Sequence, residues 1–262
     1  MKRLLTILSL ICFSGNILSN DYRLITLSGK DGLSQQDVEC ILQDKQGFIW
    51  IGTYDGLNRY DGNSFLLFRH NPQNTNSISD NRILSLQEWP ERDELWIGTD
   101  GGGLNCYNLK TERITRYMAD SKHKGQLTDN QISCFDKNGD EMWVGTTNGP
   151  HKITFTTDNK IHIEHYSLKG NSEENILQYT VSIGHDDNGN IIAATPKGLF
   201  LKNKSESDFK LVKKMSDHVK QILKDSIGNI WIITNSEIYY YSTLHQKIQN
   251  YLENPYILDF YP

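Results

Sequence analysis

One pentapeptide recurs along this chain, and its spacing leaves few folds open. Ile49-Trp50-Ile51-Gly52-Thr53 returns as Leu95-Trp96-Ile97-Gly98-Thr99, as Met142-Trp143-Val144-Gly145-Thr146, in decayed form as Ile191-Ile192-Ala193-Ala194-Thr195, and as Ile230-Trp231-Ile232-Ile233-Thr234. The central residues lie 46, 47, 49 and 39 positions apart. Self-similarity at such a period marks a repeat architecture, in which each unit is too small to bury its apolar face alone and must be covered by its neighbours.

Each copy carries the same short elements around its centre. Upstream runs a β-branched residue, then a small or polar one, then a large apolar one: Val38-Cys40-Ile41, Ile83-Ser85-Leu86, Ile132-Cys134-Phe135, Thr180-Ser182-Ile183 and Val219-Gln221-Ile222. That mix suits a strand crowded near a central axis. A turn follows, as in Asp44-Lys45-Gln46-Gly47 or Asp225-Ser226-Ile227-Gly228, where Asp bonds its own backbone and Gly accepts a positive φ. The Trp strand comes next, then a turn and a third strand, as in Tyr54-Asp55-Gly56 before Leu57-Asn58-Arg59-Tyr60. A fourth alternating run closes the unit, for example Phe65 with Phe68 and Ile114 with Tyr117. Four short antiparallel strands per unit of about 40–45 residues is the arithmetic of a β-propeller blade. The fold expected is all-β, with five full blades and the tryptophans packed between them. The rival role for Trp50, Trp96, Trp143 or Trp231 is stacking on a sugar.

The chain does not begin as structure. Met1-Lys2-Arg3 and the apolar run Leu4 to Leu18, before the polar Asp21-Tyr22-Arg23, read as a secretory signal peptide over residues 1–20. The protein is therefore expected to be exported, with residues 21–262 forming the propeller; an uncleaved anchor is the alternative. Cys12 falls in the leader, and Cys40, Cys106 and Cys134 are too few and too unevenly placed for a disulfide framework. Buried, unpaired thiols are expected. A formal charge of −5 from 27 Lys+Arg and 32 Asp+Glu leaves no basic footprint for nucleic acid.

The ring is expected to be incomplete. Tyr22-Arg23-Leu24-Ile25-Thr26 looks like a spare outer strand and Pro255-Tyr256-Ile257-Leu258-Asp259-Phe260 like a spare inner strand. A closed ring of six or seven blades needs roughly 270–315 residues at about 45 each, more than follow the leader.

The run Gly32-Leu33-Ser34, Val38, Ile41, Asp44, Gly47, Ile49-Trp50-Ile51-Gly52-Thr53, Asp55-Gly56-Leu57-Asn58-Arg59-Tyr60-Asp61-Gly62 and Phe65 resembles the two-component regulator propeller repeat. That repeat is typical of the periplasmic sensors of Bacteroidetes hybrid two-component systems. The resemblance extends from about Tyr22 to the end, strongly in three copies and weakly in the fourth and fifth. It implies a periplasmic N-terminal part of a larger sensor, homodimeric when intact and responsive to oligosaccharides. It also implies a following membrane span and cytoplasmic kinase parts, which this sequence lacks, so membrane contact would come only through them or an uncleaved leader.

Enzyme chemistry finds little support. Asp44, Asp55, Asp186 and Asp225 recur where turns want Asp for backbone reasons rather than as paired glycosidase acids. The run Asp186-Asp187-Asn188-Gly189-Asn190 superficially suggests a calcium loop but aligns with the turn of every other copy. Among eight histidines only His162 and His165 are close, and strand alternation sets residues three apart on opposite faces, so no metal pair is expected. No cofactor is implied. The turns that enter the inner strand and those that leave the Trp strand should share one face around the axis. Candidate ligand contacts there are Gln35, Gln36, Tyr54, Asn81, Arg82, Asp100, Asn130 and Gln131, since amides, an Arg and an aromatic suit sugar hydroxyls. A non-enzymatic sensing propeller is the reading, with a stand-alone scaffold for protein partners, or a propeller-fold polysaccharide lyase or glycosidase, as rivals.

Overall fold

The computed structural model describes residues 25–119, 126–158, 160–169, 178–226, 228–242 and 247–253. The expected leader, most of the expected N-terminal spare strand and all of the C-terminal one lie outside them; Ile25 and Thr26, which are described, are not in a strand.

Each repeat folds into one antiparallel sheet. The first blade is β1 (Val38–Gln43), β2 (Ile49–Thr53), β3 (Gly56–Tyr60) and β4 (Phe65–Phe68), and the second is β5 (Ile83–Trp89), β6 (Glu94–Thr99), β7 (Leu104–Asn108) and β8 (Arg113–Tyr117). The third comprises β9 (Ile132–Asn138), β10 (Glu141–Thr146), β11 (His151–Phe155) and β12 (Ile161–His165). The fourth holds β14 (Ser182–His185), β15 (Ile191–Thr195), β16 (Gly198–Lys202) and β17 (Phe209–Lys214), and gains a short fifth strand, β13 (Leu168–Lys169), paired parallel to β17. The fifth is β18 (Val219–Lys224), β19 (Ile230–Thr234), β20 (Glu237–Ser242) and β21 (Lys247–Glu253). Apart from β13, which joins its sheet beside β17, the strands of each sheet pair in sequence order, so each four-stranded unit is a meander. Its inner strand packs on the next inner strand, β1 on β5, β5 on β9, β9 on β14 and β14 on β18.

The tryptophans fill the gaps between sheets. Trp50 meets Tyr107 of the next blade at 5.7 Å, Trp96 meets Phe155 at 6.3 Å and Trp143 meets Phe209 at 5.7 Å between ring centroids. All three are buried, which is the packing role read from the repeat. Ile192 takes the place in the fourth blade and is buried too.

The glycine of the pentapeptide answers a close approach. A Cβ on Gly98 would sit 2.7 Å from Ile132 Cγ2 and 2.8 Å from the Ile132 carbonyl oxygen, and closer still to Ser85 Oγ. The inner strand of the third blade thus runs directly against the second strand of the second. Inner strands also bulge at Val38/Cys40, Ile83/Ser85, Ile132/Cys134 and Val219/Gln221, which leaves Glu39, Leu84, Ser133 and Lys220 outside the ladder near the axis.

Among the described residues the blades form an open arc rather than a closed ring. Ile83, Ile132 and Val219 are buried by the preceding blade, whereas Val38 and Ile41 of β1 are 39% and 65% exposed. At the other end Trp231 is half-buried where Trp50, Trp96 and Trp143 are buried.

Cys40, Cys106 and Cys134 are unpaired, as expected, but only Cys106 is a buried residue; Cys40 and Cys134 are partly exposed. Their sulfurs nevertheless lie in the Cβ space of Gly52 and Gly145. Burial pushes the Cys40 and Cys134 thiols up to about 12.

Candidate ligand-binding face

The turns at the C-terminal end of each second strand are built by the threonine of the pentapeptide. Thr53, Thr99, Thr146, Thr195 and Thr234 each donate Oγ1–H to the carbonyl that closes the turn, that of Gly56, Gly103, Gly149, Gly198 or Glu237. A second latch holds the loop that enters the inner strand. The Ser34 N–H donates to Asn58 Oδ1 at 3.0 Å and the Asn58 amide returns to Ser34 Oγ at 2.8 Å. Ser79 and Asn105 repeat the exchange at 2.9 and 2.8 Å. In the third blade His151 replaces the asparagine, and its Nε2 accepts the Thr128 N–H at 3.2 Å. The two latches put the entering loops and the exit turns on one face, as the strand order required.

Four of the eight candidate residues meet there in a chain across three blades. The Arg82 guanidinium lies 4.2 Å from the centroid of the Tyr54 ring. Its NH1 is 2.5 Å from Asp100 Oδ2, and Gln131 Nε2 donates to Asp100 Oδ1 at 2.6 Å. Tyr54 is 40% exposed, and the Arg82 side chain 44% exposed. This is an accessible ring, cation, carboxylate and amide held in fixed order.

Asn81 and Asn130 do other work. The Asn81 amide oxygen accepts the His70 N–H at 2.7 Å while its carbonyl accepts the Gly56 N–H at 2.7 Å. Asn130 does the same for Ala119 and Gly103, at 2.7 and 2.9 Å. Both asparagines stitch one blade's entering loop to the outer strand and turn of the blade before. Gln35 donates to Asp37 Oδ2 at 3.2 Å, and Gln36 is exposed on the same loop.

Tyr179 joins the face although the sequence reading passed over it. It stands on the loop that enters the inner strand of the fourth blade, and burial, then Cys134, Asp100 and Glu39, pushes its phenol above the ordinary value, with Arg82 opposing. The signal was present: Asp37, Arg82, Gln131, Tyr179 and His218 each stand immediately before the residue that opens the β-branched run.

The histidines differ from expectation in a related way. The pair that approaches is His151 and His165, cross-strand partners on β11 and β12 with rings 4.8 Å apart. His151 Nε2 is engaged by Thr128 and His165 Nε2 contacts the Asn148 carbonyl at 2.6 Å. Among the described residues no group of three or more His, Cys, Asp or Glu could hold a metal. The Asp186 oxygens of the supposed calcium loop face Asn188 N–H, Asn190 N–H and the Asn190 amide.

The arc of four-stranded blades is that of a β-propeller. Residues 32–55 match the family described as two component regulator propeller. Over 49 residues the chain is 55% identical to histidine kinase P4 of Formosa agariphila, a stretch that is 19% of this chain and 4% of that protein. The extracellular domain of a putative hybrid two component system from B. thetaiotaomicron superposes with a TM-score of 0.75 at 25% identity, over 86% of this chain and 31% of that one. Virginiamycin B lyase from Staphylococcus aureus shares the fold at 13% identity, with a TM-score of 0.62 over 85% of this chain and 71% of the lyase. The chain spans about a third of the hybrid-system domain and a small part of the kinase. The chain thus shares the fold of that extracellular domain and matches the two component regulator propeller family over residues 32–55.

Proposed function

We propose that this chain is the ligand-sensing propeller of an exported hybrid two-component sensor, and that its mouth recognises an oligosaccharide in the periplasm. The reading rests chiefly on the Tyr54–Arg82–Asp100–Gln131 chain. An exposed aromatic face beside planar, preordered donors and acceptors matches the alternating apolar and hydroxyl surfaces of a sugar. The family match over residues 32–55 supplies the signalling context.

No reaction is assigned to the mouth. Its best-placed carboxylate, Asp100, is already bridged by Arg82 and Gln131, which suits a positioning role rather than proton transfer. In the intact receptor, taken as a homodimer, ligand stabilises one arrangement of the propeller relative to its partner subunit and so shifts the kinase equilibrium. Isothermal titration against an oligosaccharide library tests this. Arg82→Ala is expected to weaken the best ligand by about tenfold or more, the loss of a charged hydrogen bond and a stacked cation. Unchanged affinity in that variant removes the mouth as the site.

A further inference from the structure

Every tryptophan of the pentapeptide brings an indole N–H into the fold, and the chain usually supplies an acid for it. Trp50 Nε1 donates to Asp44 Oδ2 at 2.8 Å, Trp96 Nε1 to Glu94 Oε2 at 3.2 Å and Trp231 Nε1 to Asp225 Oδ2 at 2.9 Å. Trp143 is the exception. It is 1% exposed, and its Nε1 has no hydrogen-bond partner.

The register explains why. In the first blade Asp44 bonds Phe48 across a five-residue turn. In the third, the corresponding pair is Asn138 with Glu141 across Gly139-Asp140, so an amide stands where the acid would be. Glu141 occupies the place from which Glu94 serves Trp96, but here it lies toward Lys152, 3.7 Å away. The region holds a cavity of about 350 Å³ lined by Asn138, Glu141, Trp143, Lys152, Lys202 and Lys204 among others. It opens at the turns opposite the mouth.

Three lysines outnumber the one glutamate of that lining. Lys152 is shared between Glu141 and Glu164. Lys202 is only 9% exposed and lies 5.7 Å from the centroid of the Tyr166 ring. Burial, with Lys152 nearby, holds its ammonium below the ordinary lysine value, while Glu141, Glu164 and Glu206 oppose that shift. A buried N–H without an acceptor and a buried cation call for the same partner. The adjoining cavity sets Asp186 and Asp187 against Lys204 and Lys224, and Lys224 is already paired with Asp187 at 2.7 Å.

We propose that this cavity between the third and fourth blades binds a small ligand through an oxyanion, a carboxylate, sulfate or phosphate that accepts the Trp143 N–H and is neutralised by Lys202 and Lys204. Its volume lies at the lower end of small-molecule sites, ~300–1,000 Å³, which fits a single acidic sugar or an inorganic anion. The site is separate from the mouth and does not depend on it.

Titration of the chain carrying ¹⁵N-labelled tryptophan, at constant ionic strength, separates the sources: sodium glucuronate, sulfate and phosphate, with glucose and chloride as controls. The Trp143 indole resonance is expected to move downfield and saturate at millimolar anion while the other indoles stay in place. Trp143→Phe assigns the signal, or Asn138→Asp does so should the first variant fail to fold. Asn138→Asp also supplies the acid found in the first and fifth blades and is expected to weaken the anion by about tenfold or more, with the remaining indole signals unchanged. Failure of all three anions to shift Trp143, an equal drift of every indole signal, or wild-type affinity in Asn138→Asp each overturns the proposal.

Discussion

Replacing Gly98 by alanine tests blade packing at its tightest point. The added methyl would lie 2.7 Å from Ile132 Cγ2 and 2.8 Å from the Ile132 carbonyl oxygen, and would collide with Ser85 Oγ. Ser85 cannot simply turn away, because its hydroxyl donates to that same carbonyl at 3.0 Å across the blade interface. Overpacking costs about 1–3 kcal/mol and the strained hydrogen bond about 1 more, so the expected loss is about 2–4 kcal/mol. With a urea dependence of about 2–3 kcal/mol per M, the unfolding midpoint should fall by about 1 M. Gly29→Ala is the control, since nothing lies within 4 Å of its Cβ position and its φ is not positive. A Gly98→Ala midpoint equal to that of Gly29→Ala would refute the close approach of adjacent sheets.

Two further predictions concern titratable groups. His151 is held at a pKa of about 3, against 6.5 for the ordinary imidazole, first by burial and then by His165. The unfolded chain therefore binds the extra proton between those values, so stability should rise with pH from about 3 to 6.5 and level off above. His151→Asn restores the latch residue of the first two blades and should flatten that slope in urea titrations, and an unaltered slope would contradict the assignment. The Cys40 and Cys134 thiols, pushed up to about 12 by burial, should resist iodoacetamide at about pH 8 until denaturant is added. Rapid native alkylation seen by mass spectrometry would show that the sulfurs are not packed against Gly52 and Gly145.

The repeat made the architecture readable because its physics is local. Strand alternation, turn chemistry and one large ring per unit fix a blade, and unit length fixes what stacks on what. Chemistry at the mouth was readable only as a face. The sequence places Tyr54, Arg82, Asp100 and Gln131 on adjoining loops, but it could not tell them from Asn81 and Asn130, whose amides are consumed by the backbone of the preceding blade. That distinction depends on which blade's N–H groups are left over, and no single repeat contains it. His151 and His165 are fourteen positions apart in sequence and meet only through the β11–β12 register. Likewise, among the described residues β13 has no counterpart in the other repeats. The unserved Trp143 was only half visible: Asp stands six residues before Trp50 and Trp231 but not before Trp96 or Trp143, and it takes the structure to show that Glu94 serves Trp96 while Glu141 lies toward Lys152.

Hydrogen–deuterium exchange, with and without the best-binding oligosaccharide, tests most directly whether recognition resides at the axial mouth. The account predicts slowed exchange confined to the loops around residues 34–37, 79–82 and 128–131 and the turns at Tyr54 and Asp100. Protection restricted to the opposite turns or the outer strands, with the mouth unchanged, would contradict it.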